Sequence, residues 1–161
     1  MKYRKLTLDE LKELEQDFVR FLASNEITAT EWEQLKQENS EKVDRLIEIY
    51  SDIVFEKVLS DVTYLEMRRP HDLRLFKFYE NKVEMVGLLV EDNTAINFMH
   101  QQSPEEMTRM LQSGGGSLKI VSAEREYKKL REMEIFETMQ LGALIRRDGQ
   151  LFDTLRGMKP G

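Results

Sequence analysis

The sequence predicts an α+β domain: three N-terminal helices, a mostly antiparallel sheet of four or five strands, and two further helices. Three observations carry this. Leu11, Leu14, Phe18, Phe21 and Leu22 recur at helical spacing, and a longer stripe follows Ser40. The stretch Val62 to Met99 holds four runs of strand-forming residues separated by turn chemistry. Beyond it, Ser103-Pro104-Glu105-Glu106 starts a helix, with a capping serine, a proline in the first turn and a capping-box glutamate.

Length and composition bound the rest. At 161 residues one domain is expected, placed over 1–156 with a tail over 157–161, and a core of that size needs no metal or disulfide. The chain has no cysteine, which excludes disulfides, zinc-thiolate sites, iron–sulfur clusters and thiol nucleophiles. The start, MKYRKLTLDEL, is basic but lacks the apolar run of a signal peptide. No stretch reaches the ~18 apolar residues of a membrane span, so a soluble cytoplasmic protein without a membrane partner is expected. The net charge is −6 and unevenly spread: −6 over 1–61, −2 over 62–113 and +2 over 114–161. A general nucleic-acid binder carries a net basic face, so the acidic first third argues against that role. Lys128, Lys129 and Arg131 leave a local RNA contact as a lesser reading.

Taken in order, Thr7 caps the first helix with Glu10 closing a capping box, and that helix runs to about Ser24-Asn25. A second capping box, Thr30 with Glu33, predicts a short helix over 30–38 with Trp32 turned inward. Ser40 opens the third helix, whose stripe is Val43, Leu46, Ile47, Tyr50, Ile53, Val54, Val58 and Leu59. Strands follow at about 62–68, 73–79, 83–90 and 95–99, separated by Arg69-Pro70-His71, Glu80-Asn81-Lys82 and Asp92-Asn93. The second and third are apolar on both faces, which places them mid-sheet under cover on both sides, or against a partner. Met107, Met110 and Leu111 line the helix after Pro104, which ends at Gly114-Gly115-Gly116. Leu118–Val121 predicts a fifth strand. A helix is expected from Ala123 through Leu144, with Gly142 inside it or breaking it, and a last amphipathic turn at Leu151, Phe152 and Leu155.

MKYRKLTLDELKELEQDFVRFLASNEITATEWEQLK, followed by IEIYSDIVFEKVLSDVTYLE, resembles the opening of a short bacterial protein family of unknown function. The Lys2-Tyr3-Arg4-Lys5-Leu6-Thr7 start, the Ile27 to Trp32 link and Tyr50-Ser51-Asp52-Ile53 carry the likeness. Some members bear the name of histidine–tRNA ligase, but the chain is far too short for such an enzyme and holds no ATP or tRNA signature. The resemblance implies a single compact domain and no established activity.

Catalytic constellations are sparse. The run GGGSLK lacks the G-x-x-x-x-G-K-[ST] spacing of a phosphate loop, and its glycines follow a helix instead of opening one. His71 and His100 stand alone, without the spacing of a metal site. Asp52 and Glu56 share a helix face at i, i+4 and are expected to be exposed. No G-x-S-x-G is present. The best polar cluster is Arg68, Arg69, His71 and Arg74, suited to a carboxylate, a phosphate or a partner; the plainer reading is a charged sheet edge that resists aggregation.

The sequence therefore favours a non-catalytic protein-interaction or assembly module, without a cofactor, whose sheet face or edge binds another protein or a second copy of itself. The alternative is a small enzyme or binder of an anionic small molecule using the Arg68–Arg74 cluster.

Overall fold

The structure, a computed structural model, describes residues 1–91, 96–100, 103–113 and 118–158. The turn expected at Asp92-Asn93 and the glycine run 114–116 lie outside the described residues. The chain divides into two compact units, Met1–Ser60 and Asp61–Gly161.

The first unit is helical: α1 (Leu8–Glu13), α2 (Glu15–Ser24), α3 (Ala29–Glu38) and α4 (Ser40–Ser60). The Thr7 capping box forms as its letters predict, with both reciprocal bonds to Glu10 present. The single helix expected over 7–25 is instead broken at Leu14, whose φ of −103° and ψ of 19° separate α1 from α2. Nothing in the local sequence marks that break. The cap of α3 lies two residues before the Thr30 expected for it. Thr28 is followed by Glu31 as Thr30 is by Glu33, and it is Thr28 Oγ1 that accepts the Glu31 N–H at 3.2 Å. Asn39, not Ser40, caps α4 by accepting the Lys42 N–H.

The core of this unit is aromatic. Phe18 lies edge-on to Trp32 at 5.2 Å and against Tyr50 at 4.9 Å, with Leu6, Leu22 and Leu46 closing around them. The stripe on α4 is narrower than expected: Ile53 and Val58, assigned to it, are exposed.

The second unit is a five-strand sheet with helices. β1 (Tyr64–Arg69), β2 (Asp72–Phe78), β3 (Lys82–Val90), β4 (Leu118–Glu126) and β5 (Leu144–Arg146) lie in the order β4-β3-β2-β1-β5, every neighbouring pair antiparallel. α5 (Pro104–Ser113), α6 (Arg131–Gln140) and α7 (Gln150–Met158) complete it. Seven helices and five strands are thus present among the described residues, a mixed α+β architecture with more, shorter helices than the five expected.

Registers separate the two faces of the sheet. One carries Leu73, Leu75, Val86, Leu88 and Val90. These bury against Leu151, Phe152 and Leu155 of α7 and against Phe98. Met110 of α5 packs at the edge of the same cluster. The other face carries Phe76, Phe78, Val83, Met85, Ala123 and Arg125. Strands apolar on both sides are therefore present over 73–90, as their letters predict.

Four expectations need correction. Residues 96–99 are not a strand; Phe98 is held by a bond from its N–H to the Pro70 carbonyl and is buried completely. Ala123–Glu126 continue β4 instead of starting a helix, because pairing with β3 runs to Glu126 opposite Lys82. The helix expected through Leu144 is only Arg131–Gln140. It stops in a Schellman turn, with Gly142 N–H bonded to Met139 O, Ala143 N–H to Thr138 O, and Gly142 at φ 112°. The chain then returns as β5. Gly157 and Met158, expected in a tail, are the last residues of α7.

Candidate functional site

The strand register decides the fate of the arginine cluster. Side chains alternate along a strand, and Met67 pairs with Arg74 while Arg68 pairs with Leu73. Arg68 therefore lies on the α7 face, and Arg69 and Arg74 on the other. Arg68 is 12% exposed and committed: it meets the Glu66 carboxylate at 2.7 Å and donates to the Phe98 and His100 carbonyls. Arg146 approaches the same Glu66 oxygen at 3.1 Å. Arg74 pairs with Asp72 at 3.0 Å. Arg69 is exposed, and His71 is half-buried in the β1–β2 turn. The four side chains do not converge on one cavity.

Asp52 and Glu56 are half-buried and both are engaged. Asp52 accepts the backbone N–H of Lys2 at 2.8 Å and of Tyr3 at 3.1 Å. Glu56 takes the Lys2 ammonium and the Tyr3 hydroxyl. The Lys2 ammonium holds the Glu56 carboxyl below its ordinary value, the opposite direction from that of a neutral general acid. This pair anchors the N-terminal segment.

The C-terminal basic residues are similarly spent or scattered. Arg131 donates to the carbonyls of Tyr79, Phe78 and Val62, closing the end of β2 over α6. Lys129 pairs with Glu137, and Lys128 is exposed. Among the described residues no group of three His, Asp or Glu side chains is placed to hold a metal ion, and no helix is long and apolar enough to cross a membrane.

The feature that stands out is an edge. β5 is the last strand of the sheet on the β1 side, three residues long, with Leu144 69% and Ile145 42% exposed. Leu141, just before the Schellman turn, is exposed as well. The opposite edge, β4, displays Lys119, Glu124, Arg125 and Glu126, charges of the kind that discourage strand addition. β4 carries charges at both ends, whereas β5 is apolar at Leu144 and Ile145 ahead of Arg146 and Arg147. Reading 123–144 as one helix hid this site. Its available signals were Gly142 and the Leu144-Ile145 pair directly ahead of Arg146-Arg147.

An all-antiparallel sheet packed with helices defines a protein of the α+β class. The chain belongs to a family of unknown function, DUF6495, whose model matches residues 1–159 and so spans both units. No curated protein and no solved structure matches the chain.

Proposed function

We propose that the chain is a non-catalytic protein-interaction module that accepts a strand of another protein chain on the β5 edge. The observation that supports it is the contrast between the apolar Leu141–Ile145 rim and the charged β4 edge of the same sheet. Strand addition supplies affinity through main-chain hydrogen bonds and selectivity through alternate side chains. A second copy is the simplest partner, because two β5 strands related by a two-fold axis run antiparallel and continue the pattern of the whole sheet.

Light scattering across a concentration series tests this. A dimer that dissociates on dilution, and that Ile145→Lys converts to a monomer, is the expected result. A wild-type chain that stays monomeric removes the self-paired version. If Leu144→Lys or Ile145→Lys also unfolds the monomer, the rim is part of the core and the broader interaction reading falls.

A further inference from the structure

The second face of the sheet holds a cleft that the β5 edge does not use. Phe76 and Phe78 of β2, Val83 and Met85 of β3, and Ala123 of β4 form its floor; Thr138 of α6 forms one wall, and Arg125 stands at the rim. Its volume is about 190 Å³. A cavity of roughly 150 Å³ lined by apolar side chains takes benzene, so this space suits one ring or a short acyl body. It is too small for a nucleotide, a sterol or a long lipid chain. Such sites pair apolar walls with a few placed polar groups.

The polar group here is Arg125. Its Nη1 donates to Glu134 Oε2 at 2.6 Å and to the Glu126 carbonyl, while among the described residues its Nε and Nη2 form no hydrogen bond. Glu134 is 6% exposed, so its carboxylate holds the guanidinium in place at the mouth without consuming the remaining donors. Those donors form a fork suited to a second carboxylate. A neutral amide carbonyl would accept from the same fork without the charge assistance.

We propose that this cleft binds a small carboxylic acid with an aromatic or short acyl body, its ring or chain against Phe76, Phe78 and Met85 and its carboxylate on Arg125. The reading is independent of the β5 edge and survives if that edge binds nothing.

The test uses the full chain with methyl-labelled methionine, titrated with phenylacetate and with its neutral amide. Selective perturbation of the Met85 methyl signal by low-millimolar phenylacetate, with the amide about tenfold weaker, is expected. Ala123 is exposed, so Ala123→Phe fills the cleft with little cost to the fold and abolishes the response; Ala123→Leu serves if the larger ring unfolds the chain. No perturbation at Met85, equal binding of acid and amide, or shifts spread over many methionines would overturn the proposal.

Discussion

Ser51 and Leu6, 45 positions apart, meet in a buried hydrogen bond: Ser51 Oγ accepts the Leu6 N–H at 2.9 Å. The same hydroxyl donates to the Ile47 carbonyl at 2.6 Å, so both of its roles are filled. Asp52, the next residue, takes the N–H groups of Lys2 and Tyr3. The Lys2–Leu6 segment and the Tyr50-Ser51-Asp52 stretch of α4 thus serve each other. Tyr50-Ser51-Asp52 on α4 is the receptor for Lys2-Tyr3 and Leu6.

The first prediction follows from that bond. Ser51→Ala leaves the buried Leu6 N–H without its acceptor, at a cost of about 1–3 kcal/mol. Trp32 is the only tryptophan and sits in the core of the helical unit, so urea unfolding followed by its fluorescence reads the loss there. Hydrogen exchange at the Leu6 amide should accelerate in step. An unchanged midpoint would mean that the N-terminal segment adds nothing to the unit.

The same segment sets two pH windows. Arg4, and then the Thr7 backbone N–H, lower the Glu10 carboxyl from 4.5 to about 2. The folded state then holds the proton less tightly than the unfolded one. That stabilisation is present above the unfolded value and is lost as pH falls from about 4.5 towards 2. Its size is modest, because Glu10 and Arg4 are more than a third exposed. Burial, and then the bond to Glu56, raise the Tyr3 hydroxyl from 10.0 to about 12. Between those values the unfolded chain has lost its proton and the folded chain has not, so stability falls with rising pH. Melting temperature measured across both windows should decline at each end. Tyr3→Phe should lessen the alkaline decline, to which the raised hydroxyls of Tyr50, Tyr79 and Tyr127 also contribute, while leaving the acid one.

Two glycines predict opposite outcomes for one substitution. A Cβ on Gly87, in the middle of β3, would stand 2.7 Å from the Leu73 carbonyl oxygen and 3.2 Å from Val121 Cγ2. Backbone cannot yield as a side-chain tip can, so Gly87→Ala should cost roughly 1–3 kcal/mol. A Cβ on Gly157, in the last turn of α7, meets nothing within 4 Å. Gly157→Ala should stabilise α7 by up to about 0.5–1 kcal/mol. Calorimetry of the two variants beside the wild type decides both signs.

Short-range signals were legible in the letters, and long-range ones were not. The capping box at Thr7, the Ser103 cap, the Glu80-Asn81 turn and the two-sided strands over 73–90 are local patterns, and each formed. The alternation that places Arg68 and Arg74 on opposite faces depends on the β1–β2 register. Three arginines and a histidine within seven residues therefore look like one site while the fold pulls them apart. Residues 123–126 read as helical because Glu124 and Glu126 are good helix formers; pairing with β3 overrode that preference. The buried Glu84 shows the same limit. Its neighbours in sequence are apolar, and its partners, Tyr79 and Arg156 at 3.1 and 3.0 Å, come from a strand end and from a helix 72 residues away.

The last prediction separates arginines that an anion site would have used alike. Arg68 is nearly buried, bonded to Glu66 and to two carbonyls of the 98–100 segment. Removing it strips a partner from a carboxylate that is itself 8% exposed, which makes the loss larger than for a surface pair. Arg68→Met should therefore cost roughly 1–3 kcal/mol and loosen the segment that holds Phe98. Arg74 pairs with Asp72 at 41% exposure, so Arg74→Met should change stability by no more than about 0.5 kcal/mol. Thermal unfolding of the two variants gives the comparison. Equal and small shifts would show that the Glu66 pair is not part of the structural frame and would return Arg68 to the pool of residues available for a ligand.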